Sequence, residues 1–359
     1  MKKYRFGIIG CGVIYQVHAR AINALEDAEL VAIADVVEEK ARDAALNRSY
    51  GANPDIYTDY RKMLERDDID IVSICTPSGM HADMACDCME AGKHVIVEKP
   101  MDVTLKACDK FIETWKRTGK YATVISQHRF SEDVQRLKKA IDEGWFGKIA
   151  LIDSYTKWYR SHEYYKSGDW RATWELDGGG ALMNQSVHYV DLMQWMVGDV
   201  ESLYGNCANV WHDIVVEDTA VATIRFKDGT IGSLEGTTAA NPGLKQELHV
   251  MGEFGTVSIV ESRIKVWKFV NRDTEIEQAV STQDGSGGSS DPASINRDLH
   301  TRQYRDFLDA INAGTSPLIT PVEARKPVEI ILAVYESSRT GQPVKLPLDP
   351  ETTFVGTRF

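Results

Sequence analysis

The residue best placed for chemistry is Lys99, in the run His94-Val95-Ile96-Val97-Glu98-Lys99-Pro100. A β-branched apolar run that ends in two charges and a proline reads as a buried strand whose carboxyl end opens onto a cleft. Successive side chains on a strand point to opposite faces, so Glu98 and Lys99 do not simply neutralise each other, and Pro100 stops the ladder. Open α/β sheets bind ligands beyond the carboxyl ends of their strands, and the spacing puts Lys99 there.

The elements that must position this lysine recur along the first third of the chain. A strand from Arg5 to Ile9 runs into Gly10-Cys11-Gly12-Val13-Ile14-Tyr15 and then a helical pattern from Val17 to Leu25. Strand, glycine turn and helix in that order suit a dinucleotide. Gly10 allows the tight turn, and Gly12 brings the N–H groups at the helix start, around Val13 and Ile14, close to a pyrophosphate. Tyr15 stands where the fingerprint expects Gly or Ala; either the helix stands further from the strand or the ring turns outward over the cofactor, and the second is expected. The next strand, Glu29 to Ala34, ends at Asp35, whose carboxylate would accept from ribose hydroxyls and repel a 2'-phosphate. Val36 and Val37 supply no arginine or serine, so NAD is expected rather than NADP. Asp35 has the alternative role of capping a helix that starts near Glu38.

Further strands at Asp70 to Cys75, His94 to Val97 and Tyr121 to Ser126, with a helix from His81 to Ala91 ended by Gly92, imply a parallel, doubly wound sheet. Thr76, Pro77, Lys99 and Gln127 would lie at strand ends along one crevice. His81, at a helix start, and Glu98 are counted with the same cofactor site.

From residue 127 the pattern changes. Ile149 to Trp158, Leu203 to Trp211, Thr219 to Phe226, Thr230 to Thr238, Glu247 to Met251, Thr256 to Val260 and Ile264 to Phe269 read as strands of an antiparallel sheet, with one helix, Ala181 to Val197, inserted near its beginning. The expected fold is therefore an α/β Rossmann domain over 1–126 followed by an α+β domain over 127–359 with a large, mostly antiparallel, open sheet. Gly285 to Pro292 reads as a spacer loop, Arg297 to Ala313 and Pro321 to Thr340 as helices packing back on the body, and Val344 to Pro347 as a last extended segment. The sheet carries more Val, Ile and Trp than one set of covering helices needs, so a homo-oligomer, dimer or tetramer, is expected through it.

Composition excludes several classes. The 359 residues exceed the usual size of one core. Forty-one basic against fifty-three acidic residues leave a net charge of -12, which argues against nucleic acid and anionic membranes. No run approaches the roughly 18 apolar residues of a membrane span, and the start leads into a strand rather than a signal peptide, so a cytoplasmic location is expected. The six cysteines lack disulfide or zinc spacing, and no metal is expected; an Asp177, His188 and Asp191 set fits no ligand pattern.

Aromatic and cationic residues interleave in Lys157-Trp158-Tyr159-Arg160-Ser161-His162-Glu163-Tyr164-Tyr165-Lys166 and in Trp170-Arg171-Ala172-Thr173-Trp174. Rings suit sugar faces, and Lys157, Arg160 and Arg171 suit a carboxylate or phosphate. Arg160, Tyr164, Tyr165 and Trp174 are therefore candidate substrate contacts, although oligomer interfaces use the same composition.

Gly10, Gly12 and Asp35, the Glu98-Lys99-Pro100 motif, and Asp177-Gly178-Gly179-Gly180-Ala181-Leu182-Met183-Asn184-Gln185-Ser186-Val187-His188 together resemble the Gfo/Idh/MocA oxidoreductase family. The resemblance spans nearly the whole chain, with Thr76-Pro77 and Tyr335-Glu336-Ser337 included. It implies that Lys99 and His188 are the catalytic lysine and histidine, and that one hydroxyl or ketone of a sugar, cyclitol or nucleotide sugar exchanges hydride with NAD. Such chemistry needs a base, for which His188 suits by its near-neutral pKa, and a group on the developing oxyanion, for which Lys99 suits. Many relatives carry an acid where this chain has Asn184; four positions before His188, Asn184 can orient the imidazole but not charge-stabilise it, which shifts weight to Lys99 or Asp177. Asp177 could otherwise cap the helix. The aromatic segment resembles members that dehydrogenate C3 of pyranosides, both glycoside and UDP-N-acetylglucosaminuronate 3-dehydrogenases. The expected activity is oxidation of a ring hydroxyl, C3 of a glucoside or related pyranoside. The alternatives are a nucleotide-sugar or cyclitol dehydrogenase and, outside the enzymes, an NAD-binding sensor or regulatory subunit.

Overall fold

A computed structural model describes residues 3–270, 272 and 298–359; the Gly285 to Pro292 spacer, Arg297 and the chain's first two residues lie outside them. The chain divides into two compact units, residues 1–127 with 297–325, and residues 128–296 with 326–359.

The first unit is built on six strands: β1 (Tyr4–Ile9), β2 (Ala28–Ala34), β3 (Asp55–Tyr57), β4 (Ile71–Ile74), β5 (His94–Val97) and β6 (Ala122–Val124). Their order is β3-β2-β1-β4-β5-β6 and every pairing is parallel. The order reverses at β1/β4, where doubly wound sheets form their ligand crevice. Strands β4 and β5 are almost wholly buried, as a sheet covered on both faces requires. The helix Asp298–Ala313, assigned from sequence to the second domain, packs in this unit: Tyr304, Phe307 and Leu308 join the core with Phe6, Ile8, Tyr15 and Ile22. Its amphipathic pattern specifies an apolar face but not the partner of that face.

Tyr15 corrects a sequence expectation. Its ring is fully buried and its hydroxyl meets Ser49 Oγ at 2.5 Å, so it points into the core, not outward over a cofactor.

The second unit carries β7 (Ile149–Lys157), β8 (Val200–Ala208), β9 (Thr219–Phe226), β10 (Ile231–Thr237), β11 (Glu247–Gly252), β12 (Gly255–Val260), β13 (Arg263–Phe269) and β14 (Val344–Lys345), in the order β13-β12-β11-β7-β10-β9-β8-β14. All pairs are antiparallel except β7 with β10. Strand β8 stops short of the expected Trp211, because the Asp218 carboxylate accepts the N–H groups of Val210, Trp211 and His212 and folds that segment into a loop.

The expected single helix over 181–197 is two pieces. A π-helical turn, Ala181–Ser186, precedes the α-helix Val187–Val197. Asp177 does not cap it. The buried Glu217 accepts from Gly180 N (2.9 Å) and Leu182 N (2.8 Å) instead. Gly180 is required here, since a Cβ would stand 1.8 Å from Glu217 O.

Candidate active site

The glycine turn of the first unit is shaped for close approach. Gly10 has φ +94, and a Cβ on it would lie 2.6 Å from Cys75 O. A Cβ on Gly12 would meet nothing within 4 Å, and Gly12 and Val13 are exposed. The helix Tyr15–Asn23 begins after Ile14 with no side-chain cap, so its leading N–H groups are left for a ligand. Asp35 holds the turn from the neighbouring strand: Oδ2 accepts from Cys11 N at 2.8 Å and Oδ1 from Val37 N at 2.9 Å. It therefore does not cap the helix Glu38–Asn47, whose first residue follows Val37 without a side-chain cap. Arg48 donates to Cys11 O and Gly12 O, both at 3.0 Å, and closes the turn from outside. A dinucleotide fits this turn: open space over Gly12, uncapped donors behind it and a carboxylate at the end of β2.

At the mouth of β4 and β5, Thr76, Pro77 and Lys99 are partly exposed, while Glu98, Pro100 and Gln127 are buried. His81 is buried, with Nδ1 2.7 Å from Pro100 O and Nε2 3.0 Å from Thr76 O. Burial lowers its pKa. The ring lies between these two backbone carbonyls and, when neutral, donates to one of them, so His81 packs the two strand-end loops together. Glu98 likewise turns into the core. Its Oε1 accepts from His18 Nε2 at 2.9 Å, with His300 Nε2 at 3.7 Å, and its Oε2 accepts from Lys99 N at 3.1 Å. Burial pushes the Glu98 carboxyl up, but the two imidazoles outweigh it and hold the group well below the usual carboxylate range. Among the described residues, His18, Glu98 and His300 are the one group whose metal-ligating atoms lie within 4.8 Å of each other; His18 and Glu98 are already hydrogen-bonded.

In the second unit, residues 181–194 are buried except for two, Asn184 and His188, which are partly exposed. Asn184 Nδ2 donates to Asp177 Oδ1 at 2.6 Å, and Asp177 Oδ2 accepts from Ala172 N at 2.8 Å. The His188 ring packs edge-on against His128, 4.9 Å between centroids, and His128 Nδ1 lies 2.5 Å from Ser262 Oγ. Asp191 is taken by Arg129 in a buried bidentate pair of 2.6 and 2.8 Å, so it is not a ligand beside His188. The pair anchors the histidine-bearing helix, a role not legible in the isolated Arg129.

Tyr164 is the centre of the aromatic segment. Its oxygen accepts from Arg171 Nη1 at 2.8 Å and Gln185 Nε2 at 3.1 Å, and its ring lies under two guanidiniums, Arg171 at 4.2 Å and Arg160 at 5.4 Å. Burial raises the Tyr164 phenol pKa and lowers that of Arg160. Two other candidates are structural. Tyr165 is buried with its hydroxyl on Thr238 Oγ1 at 2.7 Å, and Trp174 packs with Tyr335, Phe354 and Phe359 while donating to Thr357 O at 2.8 Å. Trp174 is thus core, not a sugar platform.

Sequence reasoning missed Glu217. It holds the two N–H groups that open the π-helical turn, accepts from Tyr335 OH at 2.9 Å, and is pushed by burial up to about 7. Nothing in Val215-Val216-Glu217-Asp218 marks one acid as a helix cap for a distant segment.

The glycine turn, the parallel sheet and the second sheet define a two-domain, dinucleotide-dependent oxidoreductase. The chain belongs to the Gfo/Idh/MocA family: residues 4–126 match the oxidoreductase family with an NAD-binding Rossmann fold, and residues 134–258 match the GFO/IDH/MocA C-terminal domain. It is similar to the WlbA dehydrogenase of Bordetella pertussis, solved in complex with NADH and UDP-GlcNAcA, at 32% identity and TM-score 0.86, covering 97% of this chain and 100% of that one. It is 26% identical to the scyllo-inositol 2-dehydrogenase (NAD(+)) of Bacillus subtilis and 24% identical to the myo-inositol 2-dehydrogenase of Thermotoga maritima, each over 95% of this chain and over 96% and 98% of those proteins. No helix among the described residues is long and apolar enough to cross a membrane.

Proposed function

We propose that this protein oxidises a ring hydroxyl of a sugar, C3 of a glucoside or related pyranoside, with NAD, or runs the reverse reduction. The observation that carries the reading is the pair of partly exposed residues, Asn184 and His188, within the otherwise buried stretch 181–194, with Asp177 bonded to Asn184. A polar pair on the exposed side of a mostly buried segment, one member tied to a neighbouring carboxylate, supports reading that side as the substrate site.

When bound, NAD supplies the nicotinamide carbon that takes the hydride. Lys99 donates a hydrogen bond to the reacting oxygen and stabilises its developing negative charge. His188 accepts the hydroxyl proton as the C–H electron pair leaves with the hydride. Asp177, through Asn184, fixes the polar face of the π-helical turn. Tyr164, with Arg160 and Arg171 on its ring, contributes to the ring-binding surface.

The test is a panel of glycosides, uronates, cyclitols and nucleotide sugars incubated with NAD while NADH fluorescence is followed. A ketosugar acceptor is added in parallel, so that turnover with retained cofactor is detected by mass spectrometry of the products. Turnover of pyranosides at C3 supports the reading; silence across the panel from folded, NAD-binding protein refutes it. The likeness to WlbA favours a UDP-sugar uronate as the second reading, and the same panel separates the two.

A further inference from the structure

A chain of buried hydrogen bonds in the first unit ends on the backbone of Lys99. Ser73 Oγ lies 2.7 Å from Tyr304 OH, Tyr304 OH 2.6 Å from His18 Nδ1, His18 Nε2 2.9 Å from Glu98 Oε1, and Glu98 Oε2 3.1 Å from Lys99 N. Ser73, His18 and Tyr304 are fully buried and Glu98 nearly so.

The direction of each bond follows from the groups. An ionised carboxylate only accepts, so His18 carries its proton on Nε2. With a neutral imidazole, Nδ1 is then the acceptor, the Tyr304 hydroxyl donates to it, and Ser73 donates to the Tyr304 oxygen. Every member is satisfied in one tautomer. His300 stands beside the chain, its ring 5.8 Å from that of His18 and its buried Nδ1 without a hydrogen-bond partner among the described residues.

If this chain only filled space, apolar residues of the same volume would do so without desolvating a carboxylate. Its outlet is specific: it terminates on the amide of the one partly exposed residue between buried Glu98 and buried Pro100. Tyr304 comes from the helix Asp298–Ala313, so a segment some 200 positions away in sequence reaches the Lys99 loop through His18.

We propose that His18 and Tyr304 are positioning residues that act through Glu98 to fix the Lys99 loop. The inference rests on Lys99 handling the substrate oxygen as described above. Loosening the chain would leave the cofactor turn intact and displace the lysine.

The experiment measures four quantities on the full-length protein: kcat, KM, the NADH dissociation constant, and the rate at which acetic anhydride acylates Lys99, followed by mass spectrometry. Tyr304→Phe keeps the ring and removes the hydroxyl that links Ser73 to His18. The expected result is a kcat lowered roughly tenfold with KM and NADH affinity changed less than about twofold, and an altered Lys99 acylation rate. His18→Gln, which can accept at one end and donate at the other, should recover most of the activity lost in His18→Leu. An unchanged Lys99 acylation rate in Tyr304→Phe, a kcat loss matched by an equal loss of NADH affinity, or no difference between His18→Gln and His18→Leu would each overturn the proposal. The acylation readout needs no substrate, so it reports on the chain even if Lys99→Met proves active and the catalytic role of Lys99 fails.

Discussion

Asn184 donates its side-chain amide to Asp177 Oδ1 at 2.6 Å, so the carboxylate absent from the helix is supplied by the segment just before it. The arrangement keeps an acid near the histidine-bearing helix while replacing its direct charge by a hydrogen bond. Asp177→Asn would remove that charge and weaken the bond, and hydrogen bonds to charged groups are worth about 1.5–3 kcal/mol. The expected kcat is roughly 10- to 100-fold lower, with NADH binding, measured by fluorescence titration, unaltered.

Glu217 makes stability depend on pH. Burial raises its carboxyl from the ordinary 4.5 to about 7. The folded state therefore binds a proton that the unfolded state has released, and this contribution is full below pH 4.5 and lost as pH rises through about 7. It is worth at most about 3 kcal/mol. Glu217→Gln stays neutral at every pH but sets an amide donor against Gly180 N or Leu182 N. Urea melts should show the variant less stable than the parent at pH 5, with the gap narrowing by pH 8.

Gly10 and Gly12 should separate folding from binding. Gly10→Ala meets both a positive φ and a backbone oxygen at 2.6 Å, so its melting temperature should fall by several degrees, from a cost of about 1–3 kcal/mol. Gly12→Ala meets no protein atom within 4 Å and should melt like the parent. Its methyl group occupies the space over the turn, and isothermal titration should show NAD binding weakened by tenfold or more, about 1.4 kcal/mol.

The sequence disclosed the parallel sheet because β4 and β5 are short apolar runs with helical patterns between them, and most of the second sheet because its strands alternate. Lys99 and His188 stand out in the sequence as candidates because one follows an apolar strand and the other sits within a helical run rich in apolar residues. The misreadings have one cause, that a side chain's partner is not local. Tyr15 looked like a cofactor contact until Ser49 accounted for its hydroxyl, and Trp174 like a sugar platform until Tyr335, Phe354 and Phe359 enclosed it. Glu217, His18 and Tyr304 carried no signal, because each works through residues far away in sequence.

The role of Lys99 is tested most directly by Lys99→Met, which keeps the length of the side chain and removes its ammonium group. With a substrate identified from the panel, kcat should fall by about 10²- to 10³-fold, the usual worth of a donor to a developing oxyanion, while NADH affinity stays within a few-fold. A variant that turns over at the parental rate would contradict the account.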